Sequence, residues 1–289
     1  MNDQAEALRN LVKQQELREE GRTTRIVTVT SGKGGVGKSN FSLNFALTLQ
    51  RLGKKVLVFD ADIGMANIDV LMGISSSYNL YHLLKTEKTI WDIVQEGPEG
   101  LNFIAGGSGF KDLLDLSTEQ LDFFAEEISK LHGKYDVILF DTGAGLSKET
   151  VKFITAAQET IVVTTPEPTS ITDAYALIKM VKAMDVDVNF KLIVNRAVDY
   201  REGKQTADKI SLVAERFLHS TLPSLGIVPD DPNVTKAVKR QVPFTVAFPG
   251  SEASVAIERI AKKFLEIPQS NPVSGGVKGF LHKMFRLSR

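Results

Sequence analysis

The chain has 289 residues, of which 43% are hydrophobic and 24% charged, enough for one large α/β domain with a substantial core. Its 35 basic and 35 acidic residues cancel, so there is no global charge argument for nucleic-acid binding, and a nucleic-acid partner is not expected. It has no cysteine, which excludes disulfides and cysteine-ligated zinc or iron–sulfur centres within the chain, and four histidines without a ligand spacing speak against a histidine-held catalytic metal.

Residues 1–21 form a polar, helix-prone leader ending at Gly21, with Asp3 placed as an N-cap or first-turn acid and apolar positions at Ala5, Leu8, Leu11 and Val12. It has neither the composition of a secretory signal nor an apolar run long enough to span a bilayer. The globular part is expected over 22–267. Strand-like runs at 26–30, 55–60, 101–105, 135–141, 159–164, 189–195 and 226–229 alternate with helical stretches at 40–52, 118–131, 170–184, 204–219 and 251–265. Such alternation implies an α/β three-layer sandwich with a mainly parallel, doubly wound central sheet, which binds ligands at the carboxyl ends of its strands.

The first strand runs into Gly32-Lys33-Gly34-Gly35-Val36-Gly37-Lys38-Ser39, which satisfies G-x-x-x-x-G-K-[ST] and is followed by a helical pattern. Strand, glycine loop and helix make a phosphate site. Backbone N–H groups of Gly34 to Asn40 would face phosphate oxygens, Lys38 would reach the β- and γ-phosphates, and the Ser39 hydroxyl would hold Mg²⁺. The loop carries one lysine more than this needs, Lys33. In that respect it resembles the ParA/MinD family of ATPases, whose K-G-G-x-G-K-[ST] pattern stands at 33–39. The resemblance implies that Lys33 crosses a homodimer interface to the partner's nucleotide, supplying charge as an arginine finger does.

Two further strands end in carboxylates. Residues 55–60 lead into Asp60-Ala61-Asp62-Ile63-Gly64-Met65-Ala66-Asn67, which matches the family's switch I. The resemblance makes Asp62 the catalytic acid that positions water, puts Asp60 near Mg²⁺, and has Asn67 order the water and the dimer contact. Residues 137–146 read as an apolar strand ending at Asp141, then Thr142-Gly143-Ala144-Gly145 as switch II. Asp141 would accept hydrogen bonds from Mg²⁺-bound water and Gly145 would offer its N–H to the γ-phosphate. The metal set is therefore Ser39, Asp60 and Asp141.

For the base, the family's asparagine falls at Asn195, next to Arg196, and residues 229–232 flank it. The guanine signature N-K-x-D is absent, so ATP and ADP are expected rather than GTP.

Residues 268–276 read as a linker, and 277–289 as a short basic helix. Val277, Phe280, Leu281, Met284 and Phe285 fall on one helical face, with Lys278, His282, Lys283, Arg286 and Arg289 outside it. Apolar face, basic remainder and tether describe an interfacial membrane helix, though the same pattern can dock on a partner's groove or on its own domain. One such tail binds weakly, and two on a dimer gain avidity of roughly 10²-fold or more.

At the other end, Asp3, Gln4, Ala5, Leu8 and Arg9 match D-Q-A-x-x-L-R. This resembles the FlhG (YlxH) family of flagellar MinD-like ATPases, whose N-terminus stimulates the GTPase FlhF. The resemblance implies an ATP-dependent dimerisation switch, cytoplasmic and peripheral at the inner face of the membrane when ATP-bound. It would hydrolyse ATP slowly, regulate flagellar placement and number, and engage flagellar C-ring proteins. A MinD-type division-site regulator shares core and tail, and a ParA-type DNA-partition ATPase shares the core.

Overall fold

The computed structural model describes residues 24–62, 67–85, 87–106, 118–157, 159–267 and 276–286. The run Arg25–Ser31 (β1) is buried along its whole length, because it is β-branched on both faces and lies in the middle of the sheet. Around it stand Val56–Ala61 (β2), Val94–Glu96 (β3), Asn102–Ile104 (β4), Val137–Ala144 (β5), Glu159–Thr164 (β6), Asn189–Ala197 (β7) and Ser224–Pro229 (β8). The eight strands are ordered β3-β4-β2-β5-β1-β6-β7-β8. All neighbours are parallel except β3, which pairs antiparallel with β4 at the edge.

The α/β sandwich anticipated from the alternation is therefore the fold. The seven anticipated strands are present within a few residues of their expected ends; β3 had no signal, being three residues of mixed polarity.

Alternate residues of each strand feed opposite layers. Val27 and Val29 of β1 point to a layer built by Lys38–Arg51 (α1) and, near the C-terminus, Glu252–Glu266; Phe45 packs edge-on to Phe264 at 5.2 Å. Ile26 of β1 and Ile138 and Phe140 of β5 face the other way, toward Thr118–Ser129 and Lys148–Ala156. Beside these, Pro168–Lys182 and Tyr200–Leu218 cover β6 and β7.

The C-terminal helix Gly276–Arg286 is formed, and it lies on this second layer. Val277, Phe280, Leu281 and Met284 are each 5% exposed or less. Phe280 stacks on Phe140 with ring centroids 4.7 Å apart, and Phe153 stands 6.4 Å away. Of the alternatives left open by the amphipathic pattern, the chain by itself takes the third: the apolar face meets its own domain, which offers the same escape from water as a bilayer. His282 and Lys283 face outward. The side chain of Phe285, the linker 268–275 and the N-terminal Asp3, Gln4, Ala5, Leu8 and Arg9 lie outside the described residues. Among the described residues no helix is long and apolar enough to cross a membrane.

Candidate functional site

The loop between β1 and α1 sits at the carboxyl end of the central strand, where the crossovers diverge to the two faces. Its glycines have separate reasons. Gly35 and Gly37 hold φ of 79° and 87°, a left-handed backbone that side chains rarely adopt. Gly32 lies against the helix Pro168–Lys182; a Cβ there would stand 2.2 Å from the Asp173 backbone carbon. Val36 is the loop's anchor, 3% exposed and part of the core. Helix α1 begins straight from Gly37 with no side-chain cap and no acid in its first turn, so its first N–H groups are left for an anion. A cleft of ≈ 560 Å³ opens above them, lined by Gly34, Gly35, Gly37, Lys38, Ser39, Asn40, Asp62 and Asn67 among others.

Lys38 is 6% exposed. Its Nζ lies 2.9 Å from Asp141 Oδ2 and 3.1 Å from Ser39 Oγ. Asp141 is held on its other oxygen by the Ser42 hydroxyl at 2.6 Å. Sequence reasoning did not single out Ser42; its only signal is a hydroxyl four residues after Lys38, on the same helical face.

Asp60 stands across from Asp141 in the β2–β5 register, 1% exposed. Its Oδ1 accepts the Asp62 N–H at 3.2 Å, and its Oδ2 accepts those of Asn67 and Ile68 at 2.9 and 3.1 Å. Asp60 thus ties down both ends of switch I. Burial, and then the Asp141 charge, push its carboxyl up to about 7 against the pull of these bonds. Two buried carboxylates face each other across the β2–β5 register, and only Asp141 meets a lysine, with the Ser39 hydroxyl beside it. That donor set suits Mg²⁺, which takes a hydroxyl, one or two carboxylates, waters and substrate phosphates. Ser39, Asp60 and Asp141 would hold it there, and the ion would neutralise charge on the transferring phosphoryl group.

Asp62 follows β2 into the cleft and comes within 3.5 Å of the place a Cβ on Gly143 would occupy, so switch I faces switch II at this residue. Residues 63–66 of switch I lie outside the described residues. Gly145, at φ 83°, donates its N–H to the Ser31 carbonyl at 2.8 Å. The N–H expected to meet a γ-phosphate is thus bonded to the strand that leads into the phosphate loop. Immediately after Leu146, Ser147 caps the helix Lys148–Ala156 by accepting the Thr150 N–H.

Lys33 points away from its own phosphate loop. Its Nζ contacts Glu167 Oε2 at 3.0 Å and Thr169 Oγ1 at 3.1 Å, at the start of the helix Pro168–Lys182. Both charged side chains stay well exposed, at 40% and 54%, so the pair contributes at most about 1 kcal/mol and breaks readily.

A second cavity of ≈ 500 Å³ adjoins the loop and is lined by Asn195, Arg196, Pro229, Asp230, Asp231 and Phe244 among others. The residues expected at the base are thus brought together. Arg196 holds φ 57°, and its Nε lies 3.8 Å from Asp230 Oδ1, both side chains being exposed. Asn195 donates to the Val36 carbonyl at 2.8 Å.

A family model described as an AAA domain matches residues 24–194. The antiactivator FleN of Pseudomonas aeruginosa is 37% identical over 90% of this chain and 93% of its own. The flagellum site-determining protein YlxH of Helicobacter pylori is 36% identical over 99% of both chains. Among solved structures, the septum site-determining protein MinD of Pyrococcus horikoshii, complexed with Mg-ADP, superposes with a TM-score of 0.69 at 26% identity, covering 84% of this chain and 96% of that one. With a complete phosphate loop, paired strand-end aspartates and these relatives, the chain belongs to the ParA/MinD family of P-loop ATPases, alongside FleN and YlxH, and hydrolyses ATP.

Proposed function

We propose that this ATPase is a dimerisation switch: a monomer with ADP, a homodimer sandwiching two Mg·ATP, bound to membrane as the dimer, and acting on flagellar placement and number by stimulating the GTPase FlhF. The observation that carries the reading is the position of Lys33. It is exposed at the mouth of the phosphate site and turned away from its own loop, held by a weak ion pair to Glu167 and a hydrogen bond to Thr169. A second copy placed over the strand ends would receive it, and the apolar side chains exposed there, Leu146, Val198 and Tyr200, would be covered. Hydrolysis in such switches acts as a clock, slow until an activator completes the site.

The tail supplies the output. Docked on β5 and its neighbours, it has Val277, Phe280, Leu281 and Met284 buried against its own domain, so offering them to a bilayer requires its release. Gly145 and Ser147 lie between the nucleotide cleft and the helix that supports the tail, which gives the γ-phosphate a short route to it. The partner assignment is supported by the Asp3–Arg9 pattern and by the match to YlxH over 99% of both chains. Contact with flagellar C-ring proteins belongs to the same reading.

Light scattering should show a monomer with ADP and a dimer with ATP. A peptide of residues 1–20 should stimulate FlhF, and vesicle co-sedimentation should need both ATP and residues 277–289. A chain that stayed monomeric with ATP would sink the switch reading. Absent FlhF stimulation, with ATPase and membrane binding intact, would favour instead a division-site regulator, a reading supported by 33% identity to the septum site-determining protein MinD of Synechocystis.

A further inference from the structure

Asn195 stands near the carboxyl end of β7 on the base side of the site, yet its side chain reaches back to the loop that holds the phosphates. Nδ2 donates to the Val36 carbonyl at 2.8 Å, across 159 residues of chain. A carbonyl oxygen only accepts, so the amide nitrogen must be the atom that faces it, and the orientation of the whole side-chain amide follows. The approach depends on the next residue being glycine: a Cβ on Gly37 would stand 2.4 Å from Nδ2.

Val36 is consequently gripped from two sides. Its side chain is sunk in the core, and its carbonyl is bonded to Asn195. The Val36 C=O and the Gly37 N–H belong to one planar trans peptide and point in opposite directions. A bond that fixes the oxygen therefore aims the N–H to the other side of the loop, away from Asn195. At that same residue the backbone turns left-handed and α1 begins without a cap.

We propose that Asn195 is a positioning residue for the phosphate loop: by orienting the Val36–Gly37 peptide, it sets the affinity of the loop for polyphosphate whatever base is attached. The inference rests on the reading of this loop as the ATP phosphate site. It gives Asn195 a task separate from contact with adenine.

The test compares Mg·ATP with Mg·tripolyphosphate, which has no base, by titration calorimetry on the full chain and on Asn195→Ala. Asn195→Leu serves as a second variant that keeps the shape and adds no charge. Losing one neutral hydrogen bond should weaken both ligands in parallel, by roughly 2- to 10-fold. Weakened ATP with unchanged tripolyphosphate would reduce Asn195 to a base contact and overturn the proposal, as would unchanged binding of both. A wild-type chain that bound neither ligand would overturn the ATP-site reading itself, a result distinct from either.

Discussion

Phe280 of the C-terminal helix stacks on Phe140, the residue immediately before the site aspartate Asp141 on β5, with ring centroids 4.7 Å apart and planes inclined by 21°. Successive residues of a strand point to opposite faces, so one peptide of β5 presents a carboxylate to the nucleotide cleft and an aromatic ring to the tail. The two are neighbours through backbone, with nothing between them to absorb a shift.

Phe153 completes this aromatic group, 5.4 Å from Phe140, and is outside both the nucleotide site and the tail. Phe153→Ala should therefore loosen the dock while leaving every tail side chain intact. Large-to-small core changes at Phe cost about 3–5 kcal/mol, part of which falls on the docked helix. The expected outcome is vesicle binding that no longer needs ATP, with protease cleavage after residue 267 faster than in the wild type. Vesicle binding still fully dependent on ATP would mean that some other contact holds the tail.

Asp62, in switch I, lines the nucleotide cleft facing Gly143 of switch II, and the family resemblance makes it the group that positions the attacking water. Asp62→Ala should bind Mg·ATP normally and lose hydrolysis by about 10²-fold or more, the range for removing a group that positions or deprotonates a nucleophile. Single-turnover hydrolysis, measured beside equilibrium ATP binding, separates the two. Retained turnover would move the water-positioning role to another residue.

What the sequence disclosed about the site was its local part. Gly32 to Ser39, Asp60 with Asp62, and Asp141 with Gly145 each sit in a short run whose chemistry is visible without knowing what lies nearby. The partners of these residues come from far along the chain. Ser42 holds Asp141 across 99 residues, Glu167 holds Lys33 across 134 and Asn195 holds Val36 across 159. No periodicity or spacing encodes such meetings; they follow from strand order. The tail repeats the lesson. Its spacing revealed an apolar face at Val277, Phe280, Leu281 and Met284, but only the packed structure says that Phe140 and Phe153 lie under it. Strand β3 escaped because three residues at a sheet edge carry too little pattern.

Gly32 offers a prediction of a different kind, since it is needed for room rather than for backbone freedom. A methyl group at this position would sit 2.2 Å from one Asp173 backbone atom and 2.4 Å from another, against a helix that has no flexible end to give way. Gly32→Ala should push the phosphate loop off the helix Pro168–Lys182 at a cost of roughly 1–3 kcal/mol, the range for overpacking. Because the Lys33 contacts to Glu167 and Thr169 share that helix, ATP affinity and melting temperature should fall together. Unaltered affinity would show that the loop can shift without harm.

The far end of the sheet from the nucleotide carries a buried charge cluster with its own pH signature. Glu159 receives the Arg25 guanidinium at 2.5 and 2.8 Å and also meets Lys191, all three being at most 4% exposed. The Phe264 ring lies under the Arg25 guanidinium at 3.6 Å. Two cations share one carboxylate, so the cluster is one positive charge in excess while Lys191 keeps its proton. Burial, and then the Arg25 charge, lower Lys191 from 10.5 to about 8. Below pH 8 the folded and unfolded chains both hold the lysine proton, and the cost of burying the charge is present in full. Between about 8 and 10.5 the unfolded chain binds the proton and the folded chain does not, so this group makes unfolding harder as pH rises. Lys191→Met removes the excess charge and keeps much of the side-chain volume, leaving Arg25 and Glu159 as a bidentate pair. Urea unfolding of both proteins from pH 7 to 10 should show the variant at least as stable as the wild type at pH 7, with the difference shrinking through pH 8 to 10. A variant much less stable at pH 7 would mean that the Lys191 contact with Glu159 outweighs the cost of burying it.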